Sequence, residues 1–114
     1  MDVFSLLKPE AVKIVSKVSS KKRLLQAIGE LAEAAYGLDI GETVQALSER
    51  ENLGPTGVGH GVALPHARIS SMDKVVGTFI LLEKPVDFGS VDNQPVDVIF
   101  SLFAPINTGV DHLK

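Results

Sequence analysis

His66 is the residue of this sequence with the best-defined chemistry. It directly follows Pro65, whose ring fixes the backbone just ahead of the histidine and limits how far the imidazole can move. A neutral imidazole is nucleophilic, and near pH 7 much of it is neutral. Such a ring can form a covalent intermediate that divides one transfer into two easier steps. His66 is therefore a candidate nucleophile, although on spacing alone a purely structural histidine stays open.

Phosphoryl transfer is the reaction that suits the residues preceding His66. This reaction needs mainly positioning and neutralisation of the charge on the phosphoryl oxygens. Arg50 supplies a charge, Thr56 a hydroxyl donor, and the amides of the glycine-rich turn that begins at Gly57 form an anion-binding nest. Two structural interpretations stay open: Arg50 at a helix end could interact only with the helix dipole, and Thr56 could be a turn residue.

The alternating glycines at positions 57, 59 and 61 do not form a nucleotide-binding loop. Position 62 is valine, which breaks the Gly-x-Gly-x-x-Gly pattern, and no Gly-Lys-Ser/Thr sequence follows. Glycines in a strand-like segment more often mark a bulge or a close approach of another backbone. We therefore predict close packing or a bulge here.

A metal site of three histidines is the other chemistry to weigh. His60, His66 and His112 are the histidines of the chain, and it has no cysteine. The six-residue spacing of the first two matches no short metal-binding pattern, and no carboxylate or thiolate cluster accompanies them. We predict no metal and no cofactor, and the structural interpretations are a tolerated loop residue for His60 and a solvent-exposed residue for His112.

The composition predicts one soluble domain spanning residues 1–114. Of its residues 45% are hydrophobic and 22% are charged, which is ordinary for a globular protein of this size. The net charge of −3 argues against nucleic acid, and the basic run at residues 21–23 is predicted to be an exposed helical turn. Neither a signal peptide nor a membrane-spanning stretch is recognisable, so we expect a cytoplasmic protein without membrane insertion.

Hydrophobic periodicity predicts two helices. Ser20 is a candidate N-cap for a helix whose apolar residues recur at helical spacing and which ends at Gly37. Asp39 and Glu42 form a capping-box pattern that opens a second helix, ending near residues 52–55, with Val44 and Leu47 facing inward.

Apolar runs predict four strands, over residues 12–18, 62–64, 75–82 and 96–104. The last two are nearly continuous β-formers, as expected of strands buried on both faces. Pro85 and residues 92–95 are predicted turns. We therefore predict an α/β fold with a mixed sheet that helices flank on both sides.

The final residues, 111–114, resemble the first turn of a helix that has no continuation. A sheet face without its helices would expose apolar surface. Self-association through this C-terminal face is therefore predicted.

The chain resembles the IIA domain of the fructose/mannitol/nitrogen class of the phosphoenolpyruvate-dependent phosphotransferase system, over nearly its whole length. The matching motifs are Ser-Lys-Lys-Arg at 20–23, Arg50-Glu51, Thr56-Gly57-Val58-Gly59, Ala63-Leu64-Pro65-His66, Leu82-Glu83-Lys84-Pro85-Val86, Asp92-Asn93-Gln94-Pro95-Val96-Asp97 and His112-Leu113.

The resemblance implies a phosphotransferase whose His66 is phosphorylated on Nε2 by the phosphocarrier HPr or its nitrogen-branch paralogue NPr. It also implies that Arg50 lies near the phosphoryl group and that His112 is a second active-site histidine. The Ser-Lys-Lys-Arg and Asp-Asn-Gln-Pro-Val-Asp segments are most similar to the nitrogen-regulatory branch, whose members bind transporters or sensor kinases according to their phosphorylation state. The alternatives are a sugar-transport component that passes phosphate to a IIB domain, and a binding module that is never phosphorylated.

The sequence departs from the family pattern at three places. His60 stands where the nitrogen branch usually has asparagine, and Ala67-Arg68 stands where Gly-Lys is common. The family's C-terminal helices are absent, so the expectation is a C-terminally truncated IIA fold. A histidine at position 60, close to the phosphoryl site in the family, is a further candidate for phosphoryl binding.

Overall fold

The computed structural model describes residues 7–70 and 72–106. They form the α/β fold with a mixed sheet that is predicted from the sequence. The elements are β1 (Val12–Val15), α1 (Lys21–Tyr36), α2 (Ile40–Asn52), β2 (Gly57–Gly59), β3 (Val62–Ala63), β4 (His66–Ile69), β5 (Val76–Val86) and β6 (Val96–Pro105), with a 3-10 turn, Pro9–Ala11, ahead of β1. The strand order is β1-β5-β6-β3-β2, and β4 also pairs with β6.

Local capping contacts define the ends of both helices. The Ser20 hydroxyl accepts a hydrogen bond from the backbone N–H of Arg23 at 3.1 Å, and Gly37 ends α1 in the left-handed conformation with φ 74°. Asp39 Oδ2 accepts from the backbone N–H of Glu42 at 2.8 Å at the start of α2. These contacts confirm the predicted helices and their caps.

The core lies between the two helices and one face of the sheet. Cross-strand register places Val76 beside Phe103 and Ile80 beside Ile99 on this face. It is closed by buried side chains from both helices, and the fully buried members include Leu24, Ile28, Leu47, Ile69, Ile80, Leu82, Ile99 and Phe103. Within residues 7–70 and 72–106, neither helix is long and apolar enough to cross a membrane.

The opposite face of the sheet is only partly covered in the described part of the chain. Register places Val12 beside Phe79, and Ile14 beside Leu81, on this face. Val12 is 47% exposed and Ile14 is 65% exposed, although both are large and apolar. The prediction that helices cover both faces is thus not met by residues 7–70 and 72–106, whose two helices pack on one face.

Strands β5 and β6 confirm the two long apolar strands, but Pro85 lies inside β5 instead of in a turn. The pairing of β5 with β6 shifts register between Leu81 and Val86, so Pro85 falls in an irregular stretch where no regular ladder donor is needed. Two short strands, β2 and β4, were not predicted, because three or four residues containing glycine or histidine carry little periodic signal.

A tight hairpin joins β2 to β3, and its turn explains the residue at position 60. His60 has φ 58° and Gly61 has φ 79°, which are the two positive torsions of a type I′ turn. Histidine is one of the residue types that tolerate positive φ better than most. Nearby, a Cβ on Gly57 would lie 2.9 Å from the Ser90 Cβ, so glycine here permits the close approach predicted from the alternating glycines.

Asp92 anchors this hairpin from the loop before β6. Its Oδ2 accepts from the backbone N–H of His60 at 3.0 Å, and its Oδ1 accepts from the backbone N–H of Gln94 at 3.1 Å. These two backbone hydrogen bonds, the one from His60 first, stabilise the charged form and hold the pKa of the Asp92 carboxyl below its ordinary value. The stability that Asp92 adds is therefore present above the unfolded-state pKa and lost as pH falls through the folded-state pKa.

Replacing Asp92 by asparagine should destabilise the protein at neutral pH and much less in acid. The charged acceptor is lost at pH 7, whereas at a pH below the lowered pKa of Asp92 the wild-type carboxyl is itself protonated. Urea unfolding followed by circular dichroism at several pH values measures the difference. Asp73→Asn is the matched control, because Asp73 is exposed and accepts no hydrogen bond recorded among the described residues. A difference between wild type and Asp92→Asn that does not shrink with falling pH would contradict this assignment.

Self-association stays a prediction, and the exposed Val12 and Ile14 offer a way to test it. If the partly covered sheet face binds a second copy, charged side chains there should prevent association by placing charge in an apolar contact. We expect the variant Val12→Lys/Ile14→Lys to be monomeric in size-exclusion chromatography with light scattering, while the mass of the wild type rises with concentration. A wild-type mass of one chain at every concentration would show the prediction to be wrong.

Candidate active site

His66 lies where the strand edge beside β6 is interrupted. β3 and β4 both run parallel to β6, and Leu64 and Pro65 separate them. The Pro65 carbonyl accepts from the backbone N–H of Leu102 at 3.0 Å, which keeps the interrupted edge attached to β6. His66 is the first residue of β4 and is partly buried. Pro65, the residue predicted to restrain the backbone, thus lies at the junction between β3 and β4, directly ahead of His66.

The two hydrogen bonds of the His66 ring define its protonation. Arg50 Nε lies 3.2 Å from His66 Nε2, and the Leu64 carbonyl oxygen lies 3.2 Å from Nδ1. Arginine can only donate and a carbonyl can only accept, so Nδ1 carries the proton and Nε2 has the lone pair. This tautomer is assigned from the partners of the ring, as hydrogens are not located directly. A ring in this tautomer presents its lone pair at Nε2, toward Arg50.

Arg50 lies in the last turn of α2 and contacts two parts of the site. Besides its Nε contact with His66, its Nη1 donates to the Gly54 carbonyl at 2.9 Å. The guanidinium has five N–H donors, and no hydrogen bond from Nη2 is recorded within residues 7–70 and 72–106. Arg50 thus lies both at the helix C-terminus and beside His66 Nε2, and its role toward a phosphoryl group stays a prediction.

Thr56 faces Glu51 rather than an open anion site. The side chain is buried, its hydroxyl donates to Glu51 Oε2, and its backbone N–H donates to Glu51 Oε1 at 3.3 Å. An ionised carboxylate only accepts, so the single hydroxyl proton of Thr56 is used here. In this arrangement Thr56 has no hydroxyl proton left for a phosphoryl oxygen. The predicted phosphoryl-binding role of Thr56 stays a prediction, with a structural partner observed instead.

For two of the remaining candidates, His60 and Gly57, no contact with His66 is found among the described residues. His60 is exposed at the tip of the β2–β3 hairpin, and no contact between its ring and His66 is recorded in the described part of the chain. Gly57 lies in β2, where its carbonyl accepts from the backbone N–H of Val91 at 3.3 Å. His112 lies outside the described residues, and its role stays a prediction. Among residues 7–70 and 72–106, no three histidine or carboxylate side chains group closely enough to hold a metal ion.

Two charged residues beside the site were not predicted. The Glu51 side chain is only 5% exposed and forms an ion pair with Lys21 Nζ at 2.6 Å. Lys21 does lie in the first turn of α1, as predicted for the basic run, but it is paired rather than simply exposed. Both residues belong to motifs that match the family, Ser-Lys-Lys-Arg and Arg50-Glu51, but neither motif shows that Glu51 and Lys21, far apart in the chain, are in contact.

Comparison with known proteins agrees with this geometry. Residues 5–114 match the family described as "Phosphoenolpyruvate-dependent sugar phosphotransferase system, EIIA 2". A "Nitrogen regulatory protein" of Bradyrhizobium diazoefficiens is 43% identical over 114 residues, covering 100% of this chain and 74% of that protein. A "PTS system fructose-specific EIIA component" of Haloferax volcanii is 28% identical over 114 residues, covering 99% of this chain and 74% of that protein.

A solved structure supports the same assignment. The crystal structure of "Nitrogen Regulatory Protein IIA-Ntr from Neisseria meningitidis" superposes with a TM-score of 0.87 and 38% identity, covering 96% of this chain and 75% of that one. The sequence family, the mixed sheet and the position of the histidine after proline agree with one another. This chain therefore belongs to the EIIA 2 family of the phosphoenolpyruvate-dependent sugar phosphotransferase system.

Proposed function

We propose that this chain is a phosphotransferase that carries a phosphoryl group on Nε2 of His66 and regulates partner proteins according to its phosphorylation state. The observation that supports this most directly is the pair of ring contacts, Arg50 at Nε2 and the Leu64 carbonyl at Nδ1. They leave a lone pair on the nitrogen that lies beside a fixed positive charge. The phosphoryl donor would be a histidine-phosphorylated carrier of the HPr or NPr type.

The transfer follows from these contacts. The Nε2 lone pair forms a new N–P bond as the N–P bond of the donor's phosphohistidine breaks, and the electron pair of that bond returns to the donor's ring. Nδ1 keeps its proton and its contact with the Leu64 carbonyl throughout. Arg50 exchanges its contact with Nε2 for one with a phosphoryl oxygen, where its charge stabilises the transferring group.

The nitrogen-regulatory branch is the version of this function that similarity favours. Identity is 43% to a nitrogen regulatory protein and 28% to a fructose-specific component, over the same length. The downstream partner would then be a regulated protein such as a transporter or sensor kinase, instead of a IIB domain. A cytoplasmic location, as expected from the sequence, fits this proposal and stays a prediction.

Replacing His66 by alanine should abolish phosphorylation. We would incubate the purified protein with phosphoenolpyruvate, enzyme I and either HPr or NPr, and follow incorporation of radiolabelled phosphate. Label on the wild type should be acid-labile and base-stable, as a phosphoramidate is, and absent from His66→Ala. His60→Asn is the matched control and should keep the label. A wild type that takes no label from either carrier would favour the non-phosphorylated binding module, and onward transfer to an added IIB domain would favour sugar transport.

Replacing Arg50 by alanine should slow phosphorylation by about 10²-fold, because a positioned charge that stabilises developing anionic oxygens contributes about that much. Single-turnover labelling with saturating phosphocarrier measures the rate, and circular dichroism checks that the fold is retained. Arg23→Ala removes an equal charge from an exposed position in α1 and should leave the rate unchanged. Equal rates for Arg50→Ala and wild type would reduce Arg50 to a helix-end residue.

A further inference from the structure

We infer that Glu51 is a positioning residue for the phosphoryl site, acting through Thr56 and depending on Lys21 for its charge balance. The inference rests on the proposed function, because it assigns how the reactive histidine is oriented. The Glu51 side chain is 5% exposed, and no step of the transfer uses it directly. Its role is inferred from its contacts with Thr56 and Lys21.

Both oxygens of Glu51 hold the same residue. Oε1 accepts from the Thr56 backbone N–H at 3.3 Å, and Oε2 accepts from the Thr56 hydroxyl. Because Glu51 contacts both the backbone and the side chain of Thr56, it restricts the position of Thr56 and also its rotation, which a single contact would leave free. Thr56 follows Gly54 and Pro55, the loop that leaves α2, so Glu51 holds that loop against the last turn of the helix.

The loop held by Glu51 carries the backbone groups that orient the reactive side chains. The Thr56 carbonyl accepts from the Leu64 N–H at 2.9 Å, and the Leu64 carbonyl in turn contacts His66 Nδ1 at 3.2 Å. Two residues before Thr56, the Gly54 carbonyl accepts from Arg50 Nη1 at 2.9 Å. One carboxylate therefore holds a segment that positions both the nucleophile and the arginine beside it.

Lys21 places a positive charge directly beside the buried Glu51 carboxylate. Its Nζ lies 2.6 Å from Glu51 Oε1 and 4.5 Å from the centre of the buried Phe88 ring. Lys21 is the first residue of α1, a position that the helix dipole disfavours for a cation. The compensating interaction is its ion pair with Glu51, which joins the start of α1 to the end of α2.

The test compares Glu51→Gln with Glu49→Gln, which neutralises an exposed carboxylate two residues earlier in the same helix. Glutamine has one accepting oxygen in place of two, so it can keep both Thr56 contacts only by reversing the hydroxyl contact, and it carries no charge to pair with Lys21. We expect phosphorylation of Glu51→Gln by the phosphocarrier to slow by about 10- to 10²-fold, because small misplacements of reacting groups have effects of that size. Glu49→Gln should match the wild type.

A second measurement distinguishes positioning from loss of stability. Nitrogen-15 NMR of the histidine ring in the unphosphorylated protein should report the Nδ1–H form of His66 in the wild type and a mixture of tautomers in Glu51→Gln. Lys21→Met should show the same trend, while Lys22→Met, which removes an exposed lysine, should not. The double variant Lys21→Met/Glu51→Gln leaves no unpaired charge, so it should recover stability but neither the rate nor the single tautomer.

The outcomes separate this inference from the proposed function. A wild type that accepts no phosphate overturns the function, while the NMR comparison still tests the orientation of His66. If the wild type is phosphorylated and Glu51→Gln shows the wild-type rate and tautomer, the positioning role is overturned. If Glu51→Gln alone fails to fold, the double variant decides: a wild-type rate there also overturns it, and a slow rate with recovered stability supports it.

Discussion

The contact between His66 Nδ1 and the Leu64 carbonyl decides which ring nitrogen has the lone pair. A neutral imidazole has one N–H, and a carbonyl can only accept, so the proton must lie on the side of Leu64. Arg50 imposes the same choice from the other side, because a guanidinium N–H cannot face a protonated Nε2. Two partners of fixed and opposite hydrogen-bonding character thus specify a single tautomer.

The interrupted strand edge makes this contact possible. In a continuous strand the Leu64 carbonyl would point into the ladder or away from it, and it would be no more available to His66 than any other carbonyl. Pro65 removes a backbone donor at the junction, and the chain resumes pairing with β6 at His66. The Leu64 carbonyl is therefore turned toward the ring two residues later in the chain, within the short gap between β3 and β4.

The parts of the fold that could be predicted are those encoded by neighbouring residues. Ser20, Gly37 and Asp39 delimit α1 and α2 because capping contacts reach only a few residues along the chain. The strands β2 and β4 were missed because their pairing partners, not their own sequences, make them strands.

In the candidate site, too, the residue types could be predicted from the sequence, whereas most of the contacts between distant residues could not. His66 and Arg50 were identified by residue type and by the resemblance, and their contact was then found in the structure. Thr56 was assigned to an anion because a hydroxyl in a glycine-rich turn suits one, while its actual partner lies in the preceding helix. His60 was considered for its ring, whereas its backbone torsion and its contact with Asp92 account for its position. Tertiary contacts of this kind leave no periodic signal in the sequence.

The ion pair between Glu51 and the partly exposed Lys21 is not explained by a gain in stability. Replacing even a fully buried ion pair by well-packed apolar residues is often neutral or stabilising. Apolar side chains could fill the same space, but they could not accept both the N–H and the O–H of Thr56. The carboxylate adds two directional hydrogen bonds that orient Thr56. We infer that the loop is thereby held in one orientation, so that the Leu64 carbonyl keeps the proton on Nδ1 of His66.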